Sequence, residues 1–388
     1  MNIGERIHLY RTARGWSLED LADHMQAFDN NGTKQRVITK QALSKYESGQ
    51  MSPSAKMLNI LGKVFDVKGS NLLDETEINV CMIAYRKKNG TSCRDEETAL
   101  AQVKLRMEQG LKLQTVFGRQ NKSKFSLPNY QVESLDDVES TAMRLRQEWN
   151  LGIYPILNMT DLLASRDIHV LLLPLEFSTF DGFSSWIYRD LEEDKFSAAV
   201  VVRSGITLCR HRFTLAHELG HLILNCALTL DEEKVCHRFA GAFLIPEETL
   251  KMDFGDAKRT VELDELMFMK GRYNVSIQCL LRRLDDLGLI APTHYAEWRS
   301  LIRKNNWENI EPGDEIQYES SPLTQIWITR GLKEGIINKR ESLIYLGGRY
   351  KSDETPRRRV LKELSESEIE EINNYYSFDA AIEWEAIN

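Results

Sequence analysis

At 388 residues the chain is long enough for two or three domains, and its 42% hydrophobic and 28% charged residues are those of a globular protein. Gly 22 and Pro 9 are too few for a collagenous or largely disordered chain. Lys+Arg 50 against Asp+Glu 58 gives a formal net charge of -8, which disfavours a protein that coats nucleic acid non-specifically but leaves room for a local basic patch. The cysteines Cys81, Cys93, Cys209, Cys226, Cys236 and Cys279 form no C-x-x-C pair and no dense framework, so neither a cysteine zinc knuckle nor a disulfide scaffold is expected. The N-terminus has no apolar signal stretch, and no apolar run approaches the roughly 18 residues of a membrane span. These features predict a reduced cytoplasmic protein with no membrane association.

Ile3, Ile7 and Tyr10 fall at helical spacing and Gly15 stops them. Ser17, with Asp20 three residues on, is a variant capping box that starts a second helix. Phe28 to Val37 is polar, Thr39 caps a third helix ending at Gly49, and Leu58, Leu61, Val64 and Phe65 mark a fourth. Short helices in this order predict a small all-α module. Gly4-Glu5-Arg6-Ile7, Leu18-x-x-Leu21-Ala22, Thr39-Lys40-Gln41-Ala42-Leu43-Ser44-Lys45-Tyr46-Glu47-x-Gly49 and Asn71-Leu72-Leu73 make the segment resemble the Cro/C1-type (XRE-type) helix-turn-helix domain. It departs from that pattern in the longer connection between the second and third helices. The resemblance implies binding to double-stranded operator DNA, with Thr39, Lys40, Gln41, Ser44 and Lys45 at the start of the recognition helix. Gln pairs with adenine edges, Lys with guanine or phosphate, and Ser with either class of edge. The alternative for the same residues is an ordinary solvated helix face, which the full motif disfavours.

Residues 85–124 hold ten Lys/Arg against four Asp/Glu, and Leu100, Val103, Met107 and Leu111 recur at helical spacing. A basic linking helix is expected. It would either add phosphate contacts, which position without specifying, or pack its apolar stripe on a neighbour.

From Val132 the pattern changes to helices (Val138 to Trp149, Leu157 to Arg166) alternating with β-type runs (Ile168 to Leu173, Ala198 to Val202), which reads as α+β. Then comes His217-Glu218-Leu219-Gly220-His221. Two imidazoles four residues apart project from one helix face, so both can bind one Zn2+ that keeps a position open for water once a third protein ligand is found. Glu218 stands beside the first ligand, where it can take a proton from that water. Two histidines and a carboxylate in an otherwise apolar helix would be costly to bury without a common partner. The following helix offers Glu233 and His237 as the third ligand, one turn apart on one face.

Glu233-x-x-Cys236-x-x-Phe239-Ala240 and Leu244-Ile245-Pro246 make this region resemble the ImmA/IrrE-type metallopeptidases. The resemblance implies Glu233 as third ligand and leaves His237 as its partner or rival. It extends to Asp181-Gly182-Phe183-Ser184, to Arg210-x-Arg212-Phe213-Thr214 and to Tyr273-Asn274-Val275-Ser276. His211, Arg212 and Tyr273 are candidates to stabilise an oxyanion, although each suits a structural role better. Ile326 to Leu332 and Ser342 to Leu346 read as two closing helices, and Arg357-Arg358-Arg359 as a conceivable second DNA contact. The tail from Glu363 holds eight acids and no Lys or Arg, which accounts for the whole net charge.

The sequence thus predicts a multidomain α+β protein. It comprises an all-α helix-turn-helix domain at 1–75, a basic helical linker at 76–128, an α+β zinc metallopeptidase-like domain at 129–292 and a mostly α C-terminal region at 293–388. The resemblance implies a DNA-binding transcriptional regulator, as a homodimer, whose zinc endopeptidase cleaves a repressor-like protein under stress or mobile-element signals. The alternative is a non-proteolytic, antitoxin-like repressor whose peptidase-like domain is a sensor or dimerisation module.

Overall fold

The computed structural model describes residues 1–28, 38–74, 78–82, 93–116, 125–173, 181–189, 195–316, 319–335 and 337. Side-chain caps start the helices of the head. Asn2 and Glu5 form a capping box at α1 (Ile3–Thr12), and Ser17 and Asp20 exchange reciprocal bonds of 2.7 and 3.1 Å at α2 (Leu18–Phe28). Thr39 caps α3 (Lys40–Glu47) and Ser54 caps α4 (Ala55–Val64), which is followed by a 3-10 turn at Gly69–Leu73. Ile7, Leu21, Ala22, Met25, Leu43, Leu61, Phe65 and Leu72 close over one another as the core of the head, with Leu105 packed against them.

The stretch expected as a basic helical linker does more than connect. Ile78–Met82 is a strand, β1, and Cys93–Val116 is the long helix α5. After it come β2 (Tyr130–Val132), α6 (Asp137–Glu148), α7 (Met159–Ala164), β3 (Ile168–Leu173), β4 (Gly182–Arg189) and β5 (Lys195–Arg203). The main sheet has the order β1-β4-β5-β3, with β3 and β5 parallel and the other pairs antiparallel. Ile78 faces Arg189 and Met82 faces Ser185 across the β1–β4 ladder.

Helices cover both faces of this sheet. Ala99, Val103 and Met107 of α5 pack on Phe183, Ile187, Ala199 and Val201. On the other face Ala198, Val200 and Val202 join a larger core with Leu215, Ala216 and Leu219 of α8 (Leu208–Ile223). A strand buried on both faces reads as an unbroken apolar run, and Ala198 to Val202 does.

Helix α5 also holds the head. Leu9 and Ala13 pack on Ala101, and the Gln102 amide donates to the Ala13 carbonyl at 2.8 Å. The buried Arg6 guanidinium donates to the Asp74 carbonyl at 2.7 Å and to the Glu108 carboxylate. Arg94 and Arg106, counted in the sequence among the basic residues, donate to the carbonyls of Gly15 and Leu172. Of the other basic residues of that stretch, Arg86 to Lys88, Arg119, Lys122 and Lys124 lie outside the described residues.

Beyond α8 the chain makes β6 (Leu224–Cys226), parallel to β2, then α9 (Glu232–Leu244), α10 (Glu247–Phe254), α11 (Leu263–Tyr273), α12 (Ile277–Asp286), α13 (Pro292–Lys304) and α14 (Pro322–Lys333). The last helix is drawn back onto the domain. Glu319 accepts from the Met159 and Thr160 amides at the start of α7, at 2.6 and 3.3 Å, and pairs with Arg212 of α8. The second closing helix expected at Ser342 to Leu346, Arg357 to Arg359 and the acidic tail lie outside the described residues. None of the described helices is long and apolar enough to cross a membrane.

Candidate metal centre

Helix α8 starts at a Thr207 cap and runs between the main sheet and α9, buried along most of its length. Two glycines let its neighbours come close. A Cβ added at Gly220 would lie 3.2 Å from Cys236 Sγ and 3.3 Å from Phe239 Cδ1, so α9 rests against α8 at that point. A Cβ at Gly182 would lie 2.5 Å from Thr214 Cγ2 and 2.6 Å from the Val201 carbonyl oxygen, with Glu218 Cγ at 3.6 Å. The start of β4 therefore passes directly over the Glu218 side chain.

The approach of α9 brings its first turn to the histidines. His217 Nε2 and His221 Nε2 are 3.2 Å apart, and each is 3.4 Å from an oxygen of Glu233. The ligand atoms of His217, His221 and Glu233 all lie within 4.8 Å of one another. His237 is not in that group. It is exposed, its Nδ1 is 2.7 Å from the Glu233 carbonyl oxygen, and its ring stands edge-on 4.4 Å from that of His217.

Burial pulls His217 down to about 4, which leaves its ring neutral at pH 7. Hydrogen bonds with His217 and His221 hold the Glu233 carboxyl well below the usual carboxylate range. His221 moves the other way, to about 12: burial disfavours its charged form, but Cys236, Glu233 and Glu218 outweigh burial. Of these, Glu233 lies at Nε2, and a negative charge that favours a proton there favours a cation as well. Burial pushes Glu218 up to about 7, against the opposing charge of His221.

Two nitrogens and one carboxylate oxygen converging this closely are a donor set that fits zinc. Glu218 Oε2 is buried and has no hydrogen-bond partner among the described residues, as a proton acceptor held for a substrate or water would be.

The other candidates are bound into the fold. Arg212 donates to the Ile156 carbonyl at 2.6 Å and pairs with Glu319, His211 Nε2 is 3.1 Å from the Thr160 hydroxyl, and Tyr273 donates to Asp253 at 2.6 Å. The sequence marked Gly182 as a break and as part of the family resemblance, without its contact to α8, and it gave Gly220 and Glu232 no role. The signal for Glu232 was present as a second acid beside Glu233 at the helix start.

In the head, Thr39 accepts from the Ala42 amide at 3.3 Å, which fixes the first turn of α3. Thr39, Lys40, Gln41, Ser44 and Lys45 are all exposed, while Leu43 and Tyr46 on the opposite side enter the head core. Lys40 lies 3.8 Å from Glu19, an exposed pair worth little.

Residues 164–285 match the family model of the IrrE N-terminal-like domain, peptidase M78, and residues 7–71 match a helix-turn-helix model. No curated protein matches the chain. From the N-terminus onward, these two matches give the chain an XRE-type helix-turn-helix head followed by an IrrE/ImmA-like metallopeptidase domain.

Proposed function

We propose that the protein is a transcriptional regulator of the cytoplasm that carries a zinc-dependent endopeptidase, and that it cleaves a specific repressor-like protein under stress or mobile-element signals. The observation that carries this reading is the convergence of His217, His221 and Glu233 beside a buried Glu218 carboxylate whose Oε2 has no hydrogen-bond partner among the described residues.

His217 and His221 would hold zinc through Nε2 and Glu233 through its carboxylate. Zinc, when bound, polarises a water molecule and the scissile carbonyl. Glu218 Oε2 takes the proton of the attacking water and returns it to the leaving amine. The apolar packing of α8 keeps bulk water from that carboxylate. In the head, Lys40, Gln41, Ser44 and Lys45 would read an operator, and a homodimer would match paired half-sites.

Glu218→Gln keeps the shape of the site and removes the proton acceptor. It should bind zinc at wild-type stoichiometry and lower turnover by about 10²–10⁴-fold. Proteins that disappear in wild-type cells after stress should then persist in Glu218→Gln cells, as read by quantitative proteomics. Equal loss in both strains would refute proteolysis and leave the non-proteolytic regulator standing.

A further inference from the structure

A metal-binding histidine has a second ring nitrogen, and its contact decides which nitrogen carries the hydrogen. The two histidines here differ in this respect. His217 Nδ1 is buried and has no hydrogen-bond partner among the described residues. His221 Nδ1 lies 2.9 Å from Glu232 Oε1 and 3.5 Å from Cys236 Sγ.

An ionised carboxylate only accepts, so the hydrogen between His221 and Glu232 sits on Nδ1. Once Nε2 gives up any proton to a metal, its lone pair points at the place where His217 Nε2 and Glu233 Oε1 stand, at 3.2 and 3.4 Å. Cys236 cannot set this tautomer, because a thiol both donates and accepts weakly. Glu232 and Glu233, neighbours in the first turn of α9, thus take the two sides of one imidazole, Glu232 at Nδ1 and Glu233 at Nε2.

We propose that Glu232 is a positioning residue of the metal centre: its carboxylate holds the Nδ1–H of His221, fixing the ring's angle and presenting Nε2 to zinc. The proposal rests on the zinc reading above. Outer contacts of this kind change metal affinity by about 10–100-fold. The Glu232 side chain is 41% exposed, so the lower end of that range applies.

The test is zinc affinity of the full-length protein, by competition with a chromogenic chelator. Wild type and His217→Ala come first, because stoichiometric zinc in the former and its loss in the latter establish the metal reading on their own. Against that background Glu232→Ala should bind one zinc about tenfold more weakly. Glu232→Gln, whose amide oxygen still accepts from Nδ1, should recover part of the loss. Asp231→Asn removes a neighbouring negative charge that pairs with Lys234 at 3.8 Å, and it should bind zinc as wild type does. Wild-type affinity in Glu232→Ala would overturn the role of Glu232 while leaving the zinc reading intact. Equal weakening in Asp231→Asn would overturn it as well, reducing the effect to general charge. Loss of stoichiometry in Glu232→Ala to the level of His217→Ala would make Glu232 a ligand.

Discussion

His211 lies wholly buried in α8 with its Nε2 against the Thr160 hydroxyl, and burial, with Arg212 adding to it, pulls its pKa down to about 4. In the unfolded chain the same ring takes its proton near 6.5. Between those values the unfolded state binds more protons than the folded one. Stability tied to His211 is therefore complete above pH 6.5 and is lost progressively as the pH falls toward 4. His211→Gln keeps an acceptor for Thr160 and removes the titration. In urea unfolding at pH 7 and pH 4.5, wild type should lose about 2–3 kcal/mol more than His211→Gln between the two conditions. Equal losses would show that the ring is hydrated in the folded state. His217, Glu218 and His221 were legible because their relation is written within one helical turn. Gly220 was not, because its smallness matters only against Cys236 and Phe239 on another helix. Glu232 was not, because its role depends on which side of the His221 ring it reaches.

Among the elements, helices with side-chain caps were plain in the sequence: the Ser17–Asp20 and Thr39–Ala42 bonds form where the letters placed them. Two strands of the main sheet were not. In β4, Phe183 and Ile187 face α5 while Ser184 and Trp186 face the other way, and with both faces covered there is no apolar–polar alternation to read. In β1 a short run was masked by the charges that follow it in the sequence. For α3 the exposed face carries a prediction of its own. Gln41→Ala should weaken binding to operator fragments selected from genomic DNA by about tenfold or more, with less discrimination between sequences. Lys45→Ala should weaken all sequences alike and lower the salt slope by about one. Binding isotherms across a salt series separate the two effects, and unchanged isotherms for both variants would remove α3 from the interface.

For the whole molecule, α5 is the member that the head and the sheet share. The net charge said nothing of this, nor did the apolar stripe, which reads the same whether a helix has one neighbour or two. Arg6 and Glu108 join the parts with side chains 2% and 3% exposed. Burial pushes the Glu108 carboxyl up, and Arg6 works against that shift. Removing one member of a buried pair leaves the other charge without compensation, so Glu108→Ala should destabilise the protein by about 3–5 kcal/mol. The double change Arg6→Met with Glu108→Leu should recover most of that loss in chemical denaturation. If Glu108→Ala unfolds as wild type does, the Asp74 carbonyl alone suffices for Arg6 and the head is not held by this pair.

The place of β1 in the sheet also sets a timetable. Ile78–Met82 leaves the ribosome about a hundred residues before β4, its partner, begins at Gly182. At ordinary rates of synthesis that gap is roughly 5–20 s. Through that interval the head can close its own core, but its strand stays without a ladder, exposed to pairing with other nascent chains. That interval falls before any histidine of the metal centre has been made.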